Sequence, residues 1–217
     1  MAIENHVRDA GRFAFLNSLA ECPRPIYDQI LFESHGCVIT PTLGSILPNW
    51  LLIVPRSQTL NFRQWSEATG ESPMKVIKSV IAKYAGSKGR VLWFEHGPAR
   101  TESVLGCGVD QAHLHFIYDA PFSAEELRSN AARSGKLDWS LGRSESIYAS
   151  VRRKGSYLMV GSEDTAGFAQ NVEHVGSQFL RKVIAGMVDQ GDAWNYRTHP
   201  HLANVRETIR TFCSGAN

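Results

Sequence analysis

The stretch from Gly106 to Tyr118, which runs Gly106, Cys107, Gly108, Val109, Asp110, Gln111, Ala112, His113, Leu114, His115, Phe116, Ile117, Tyr118, constrains this chain more than any other. Side chains at every second position of a strand share a face. A strand here would set Gln111, His113 and His115 side by side and turn Ala112, Leu114 and Phe116 the other way. The apolar face demands a core, so the segment belongs in a sheet. The opposite face carries two imidazoles and an amide, and the glycines before it let the backbone come close to a ligand. By itself the pair is compatible with a hydrogen-bonded structural pair, a metal site or a nucleophile. Asp110 would be the third ligand of a metal site, but alternation turns it away from both histidines, so no metal is expected.

The flanking chain supplies the rest of such a sheet. His35-Gly36 sits as a turn between apolar runs at 30–34 and 37–40, a predicted hairpin. Residues 51–55 form a short apolar run ended by Pro55, which predicts a strand buried on both faces. Helical pieces are expected over 62–68 and 74–84, then a strand over 91–94 and a polar loop from Glu95 to about Ser103. Ser123 with Glu126 makes a capping box, predicting a helix over 124–132. A strand at 156–160, a hairpin partner at 166–172 and helices starting at Ser177 and Leu202 follow; 137–153 carries no clear pattern. A first helix is expected over 4–19.

The formal charge of +2 gives no reason to expect nucleic-acid binding. Cys22, Cys37, Cys107 and Cys213 form no Cys-x-x-Cys pair, so neither a zinc knuckle nor a redox motif is expected and reduced thiols are. Neither a signal-peptide core nor an apolar run of membrane-spanning length is present, and the expected location is cytoplasmic.

Taken together, residues 30–118 resemble the histidine triad superfamily of nucleotide hydrolases and transferases. The resemblance runs in order through the hairpin, the strand Trp50 to Pro55, a helix, Phe94-Glu95-His96-Gly97-Pro98, and the strand Gln111-Ala112-His113-Leu114-His115-Phe116. It implies an α+β fold, a histidine-triad-like antiparallel sheet with packed helices. The expected organisation is a helical segment at 1–25, a core domain at 26–121 and a helical and hairpin extension at 122–217 packed on that core. The family pattern is three histidines alternating with apolar residues, the middle one the nucleophile. Spacing from Gly106 places Gln111 first, His113 in the middle and His115 last.

By resemblance, then, His113 attacks an α-phosphate to form a nucleotidyl-histidine, with His115 and Gln111 as donors to the phosphate and the backbone amides near Cys107 and Gly108 assisting. Phe32 would contact the base, Thr42 would lie near the ribose, Glu95 would lie near the phosphate with His96 or Arg100 as its partner, and Gln178 and Arg181 would reach phosphate from the extension. Trp50 stands where the family commonly has a further histidine, so Trp50 and Gln111 are expected to have replaced one polar cluster together. The implied substrate is a nucleotide or nucleotide conjugate with a phosphoanhydride or phosphoramidate bond, without a cofactor. The implied alternative is a nucleotide-binding module without catalysis, and pairing into a homodimer is a further implication.

Overall fold

The computed structural model describes residues 12–16, 24–84, 89–106 and 109–214. The first hairpin forms where turn chemistry places it. His35 and Gly36 both take positive φ, 49° and 71°, the twist that a two-residue hairpin needs, and join β1 (Phe32–Ser34) to β2 (Cys37–Pro41). β3 (Trp50–Pro55) is buried at every position, as its apolar run requires. Asn61 caps α1 (Phe62–Thr69) by accepting from Gln64 N–H at 2.9 Å, and Ser72 caps α2 (Pro73–Lys83), which has proline in its first turn. β4 (Val91–Gly97) and β5 (Leu114–Tyr118) follow. α3 (Ala124–Gly135) opens with the predicted capping box between Ser123 and Glu126. The chain then forms β6 (Ser140–Arg143), α4 (Ile147–Ser150), β7 (Tyr157–Gly161), β8 (Thr165–Gln170), α5 (Phe179–Met187) and α6 (Leu202–Ser214).

The strands among the described residues make one open antiparallel sheet of eight, in the order β1-β2-β3-β5-β4-β7-β8-β6. Register explains the two cores. Ile39, Ile53, Leu114 and Glu95 lie in line across β2, β3, β5 and β4, and so share a face. On that face Ile39, Leu51, Ile53, Trp93, Leu114 and Phe116 pack with residues of α1, α2, α4 and α6. Thr40, Leu52, His115 and Phe94 form the matching row on the other face. There Trp50, Leu92, Phe94 and Leu158 pack with α3 and α5. The mixed α+β class is therefore as expected, with helices on both faces.

Three expectations are corrected in detail. The sheet continues past Pro121: β6, β7 and β8 come from the segment expected to pack on a finished core, and they supply three of its strands. β4 runs to Gly97, so Glu95 and His96 are strand residues rather than loop. β5 starts only at Leu114, where its pairings with Ile53 and Glu95 end. Before that point Ala112 N–H bonds Thr59 O at 2.6 Å and draws the chain off the ladder. The helix expected over 4–19 falls mostly outside the described residues, and 14–16 form a 3₁₀ turn. Cys37 and Cys213 are free, the first buried and its thiol pushed by burial up to about 12; Cys22 and Cys107 lie outside the described residues. Among the described residues no helix is long and apolar enough to cross a membrane.

Candidate functional site

The row of side chains that starts at His115 ends in a pocket. Its described walls are Thr42 and Leu43 after β2, Leu52 of β3, Val109, His113 and His115, Gln178 and Arg181 at the start of α5, Tyr196 from the loop before α6, and Arg12 and Phe13 from the amino-terminal segment. It holds about 370 Å³ of empty space, its open mouth included. Five of the expected site residues meet here: His113, His115, Thr42, Gln178 and Arg181.

The two imidazoles lie 5.3 Å apart, edge to face, and are held in opposite senses. His113 Nδ1 is 2.9 Å from Gln111 O. A carbonyl only accepts, so Nδ1 carries the proton and Nε2 keeps its lone pair. Trp50 Nε1 is 3.0 Å from His115 Nδ1. An indole N–H only donates, so His115 Nδ1 is the acceptor and Nε2 carries the proton. One ring thus offers a lone pair and the other an N–H. Phe94 stacks on His115 with centroids 4.4 Å apart and fixes the ring plane.

Both rings are kept neutral. Burial pushes His113 down to about 4, with the Arg12 and Arg181 charges acting the same way against the bond to Gln111 O. Burial also holds His115 well below its ordinary 6.5, with His113, Arg181, His96 and Arg12 adding to the effect. Arg181 is 2% exposed. Its guanidinium donates to Trp194 O at 3.0 Å and to Gly44 O, and lies 5.0 Å above the Trp50 ring. Gly44 has φ of 73°, and a Cβ there would come within 2.4 Å of Tyr196 Cβ, so only glycine lets this loop close over the arginine. Gln178, in the left-handed conformation before α5, donates to Asn195 Oδ1 at 3.4 Å.

Other expected residues lie elsewhere. Gln111 precedes the strand, and its amide donates to Pro55 O at 2.8 Å and Ser57 O at 3.1 Å, anchoring the chain instead of facing the pocket; only its carbonyl serves His113. Trp50, the other residue expected to stand in place of a family histidine, bonds His115. Phe32 sits on the opposite sheet face, stacked on Phe212 with centroids 5.6 Å apart. Glu95 is on that face too. It accepts from Phe62 N at 2.6 Å, Tyr148 Oη at 2.9 Å and Tyr157 Oη at 2.8 Å, so its partners are these and not His96 or Arg100. Asp110 accepts from Glu102 N at 2.9 Å. Cys107 and Gly108 lie outside the described residues.

Local sequence pattern does not mark Arg12 as a site residue or give the real position of His96. His96 shares the face of His115, with rings 6.4 Å apart, and its Nε2 accepts from Leu180 N at 3.2 Å. Burial, with His113 and Arg181, holds it down at about 3. Alternation with Phe94 is the signal for His96; Tyr196 lies in the aromatic and basic stretch 192–197, which the sequence leaves open between a packed loop and a ligand contact, and Arg12 reaches the site from a distant segment with no local pattern.

Replacing Trp50 with Phe tests the paired arrangement. It removes the donor to His115 Nδ1, freeing the proton to move between the two nitrogens. The expected result is a mixture of the two His115 tautomers where the wild type holds one, and nitrogen NMR of His115 checks it.

No protein-family model matches this chain, and no curated protein matches it.

Proposed function

We propose that the pocket belongs to a histidine-triad-like nucleotidyl hydrolase or transferase in which His113 is the nucleophile. The reading rests on one observation, the opposite tautomers of the two rings: Nδ1–H of His113 is tied to Gln111 O, and Nδ1 of His115 is tied to the Trp50 indole. His113 Nε2 would attack an α-phosphorus. A nitrogen–phosphorus bond forms, the bond from phosphorus to the leaving oxygen or nitrogen breaks, and its electron pair goes to the leaving atom. His115 Nε2–H and the Arg181 charge would meet the phosphate oxygens as they gain charge. Water or a phosphate then takes the nucleotidyl group, and the imidazole recovers its electron pair. Thr42, in the ribose role expected of it, and Tyr196, in the base role expected of Phe32, would meet the nucleoside from the walls of the same pocket.

Turnover of nucleoside phosphoramidates, dinucleoside polyphosphates and nucleotide sugars by the wild type is the test. A second reading, binding without turnover, draws on Phe13, whose ring lies 5.5 Å from that of His113. Equal nucleotide binding by the wild type and His113→Ala, with neither turning over any of these compounds, would establish it and end the enzyme reading.

The depressed histidines set the pH dependence. His113 must be neutral to attack, and its acid limb is expected near pH 4 instead of 6.5. The same shifts act on stability. Between about 4 and 6.5 the unfolded chain binds protons that folded His113 refuses, so stability falls as pH falls through that window. Profiles of kcat/KM and of denaturant unfolding from pH 5 to 8 check both. An inflection in kcat/KM near 6.5 would oppose the assignment.

A further inference from the structure

Arg12 belongs to the amino-terminal segment, outside the strands that carry the histidines, yet it lines the same pocket. Its side chain is 8% exposed. Nη1 pairs with Asp28, and the guanidinium lies 5.0 Å over Phe13 and 5.5 Å over Tyr27. Nη2 is buried and has no hydrogen-bond partner among the described residues. Burying a charged donor without a partner is costly, and a guanidinium is built to bind two oxygens at once. The described lining residues include two arginines and no carboxylate, so the complementary ligand is an anion. Arg12 and Arg181 each act electrostatically on both His113 and His115, so positive charge reaches the two imidazoles from the amino-terminal segment and from α5.

We propose that Arg12 binds the phosphate next to the one attacked, and that the substrate is therefore a phosphoanhydride, a nucleoside polyphosphate or dinucleoside polyphosphate, in preference to a phosphoramidate. This inference rests on the nucleotidyl-transfer reading of the site and narrows it. The leaving group supplies the chemical reason. An amine must take a proton as the nitrogen–phosphorus bond breaks, and the described pocket walls offer no strong acid: there is no carboxyl, both histidines are neutral, and the hydroxyls of Thr42 and Tyr196 are weak acids. A leaving phosphate accepts the electron pair of the broken phosphorus–oxygen bond and departs without a proton. A guanidinium beside it stabilises the charge that develops.

Calorimetric titration of the wild type and Arg12→Gln with AMP and with ADP tests this, without needing turnover. The wild type is expected to bind ADP about 10-fold or more tighter than AMP, the increment of one charge-assisted contact. Arg12→Gln should lose that increment while AMP affinity holds, and Arg12→Lys should recover part of it. Equal AMP and ADP affinities in the wild type would overturn the role of Arg12 and leave the nucleotide reading standing. So would an increment that survives in Arg12→Gln. The wild-type comparison decides the matter even if the variants fail to fold. Binding of neither nucleotide by the wild type would overturn the nucleotide reading and this inference with it.

Discussion

On the proposed nucleotidyl-transfer reading, His113→Ala should lower kcat by about 10⁴-fold or more while the protein stays folded and still binds nucleotide, the loss that follows removal of a group proposed to form a covalent intermediate. The size follows from what is lost. His113 is the ring whose lone pair is left available by its bond to Gln111 O. No other described group in the pocket has that preparation: His115 Nδ1 is occupied by the Trp50 N–H, and its Nε2 carries the proton. His115→Ala should cost less, about 10²- to 10³-fold, because it removes a donor to the phosphate and leaves the nucleophile in place. If His115→Ala proved the more damaging by a wide margin, the roles would have to be exchanged. Steady-state and single-turnover kinetics on the two variants, with nucleotide affinity measured alongside, make the comparison.

Glu95→Ala is expected to destabilise the fold by about 3–5 kcal/mol, the range for breaking a buried polar network. The carboxylate is fully buried and joins four elements: it accepts from the first residue of α1, from Tyr148 of α4 and from Tyr157 of β7, and it stands on β4. Alanine strands three donors in an apolar setting. Glu95→Gln should cost only about 1 kcal/mol, since the amide oxygen can keep the Phe62 bond while the two tyrosine hydroxyls turn to accept. The two variants also differ in pH behaviour. Burial pushes Glu95 up to about 7, against the three hydrogen bonds and the Arg63 charge. Its folded pKa thus exceeds the ordinary 4.5. Between those values the folded state holds a proton that the unfolded chain has released. Stability from this group is complete below 4.5 and is lost as pH rises through 7, the reverse of the histidine contribution. Urea unfolding of the wild type and Glu95→Gln from pH 5 to 8 should show that difference, and nucleotide affinity should be unchanged in Glu95→Gln because the residue faces away from the pocket.

The strands were legible wherever local chemistry decides them: the His35-Gly36 turn, the uninterrupted apolar run of β3 and the capping box of α3 each stand where the sequence predicts. Harder to read were features set by partners far away. Among the described residues, 140–143 pair only with β8, and the alternation of Gln111 with His113 suggests a strand that in the structure begins three residues later, at Leu114, because Thr59 and Pro55 capture the backbone and the amide before it. Face assignment went wrong for Glu95 and Phe32 for a single reason. Proximity in sequence to a site residue does not say which side of the sheet a side chain takes, and register does. Carrying β4 through to Gly97 would have paired Glu95 with Leu114 and put His96 on the histidine side. Trp50 was legible as a departure from the histidine-triad pattern, but not as the donor that orients His115, since the bond spans 65 positions.

The most direct measurement of the central proposal is a rapid-quench reaction of the wild type with a phosphoanhydride nucleotide such as ADP or a diadenosine polyphosphate, followed by peptide mass spectrometry. The proposal predicts one nucleotidyl group on His113, labile to acid and stable to base as a nitrogen–phosphorus bond is. A nucleotidyl group on His115, or turnover with no covalent adduct at any quench time, would contradict it.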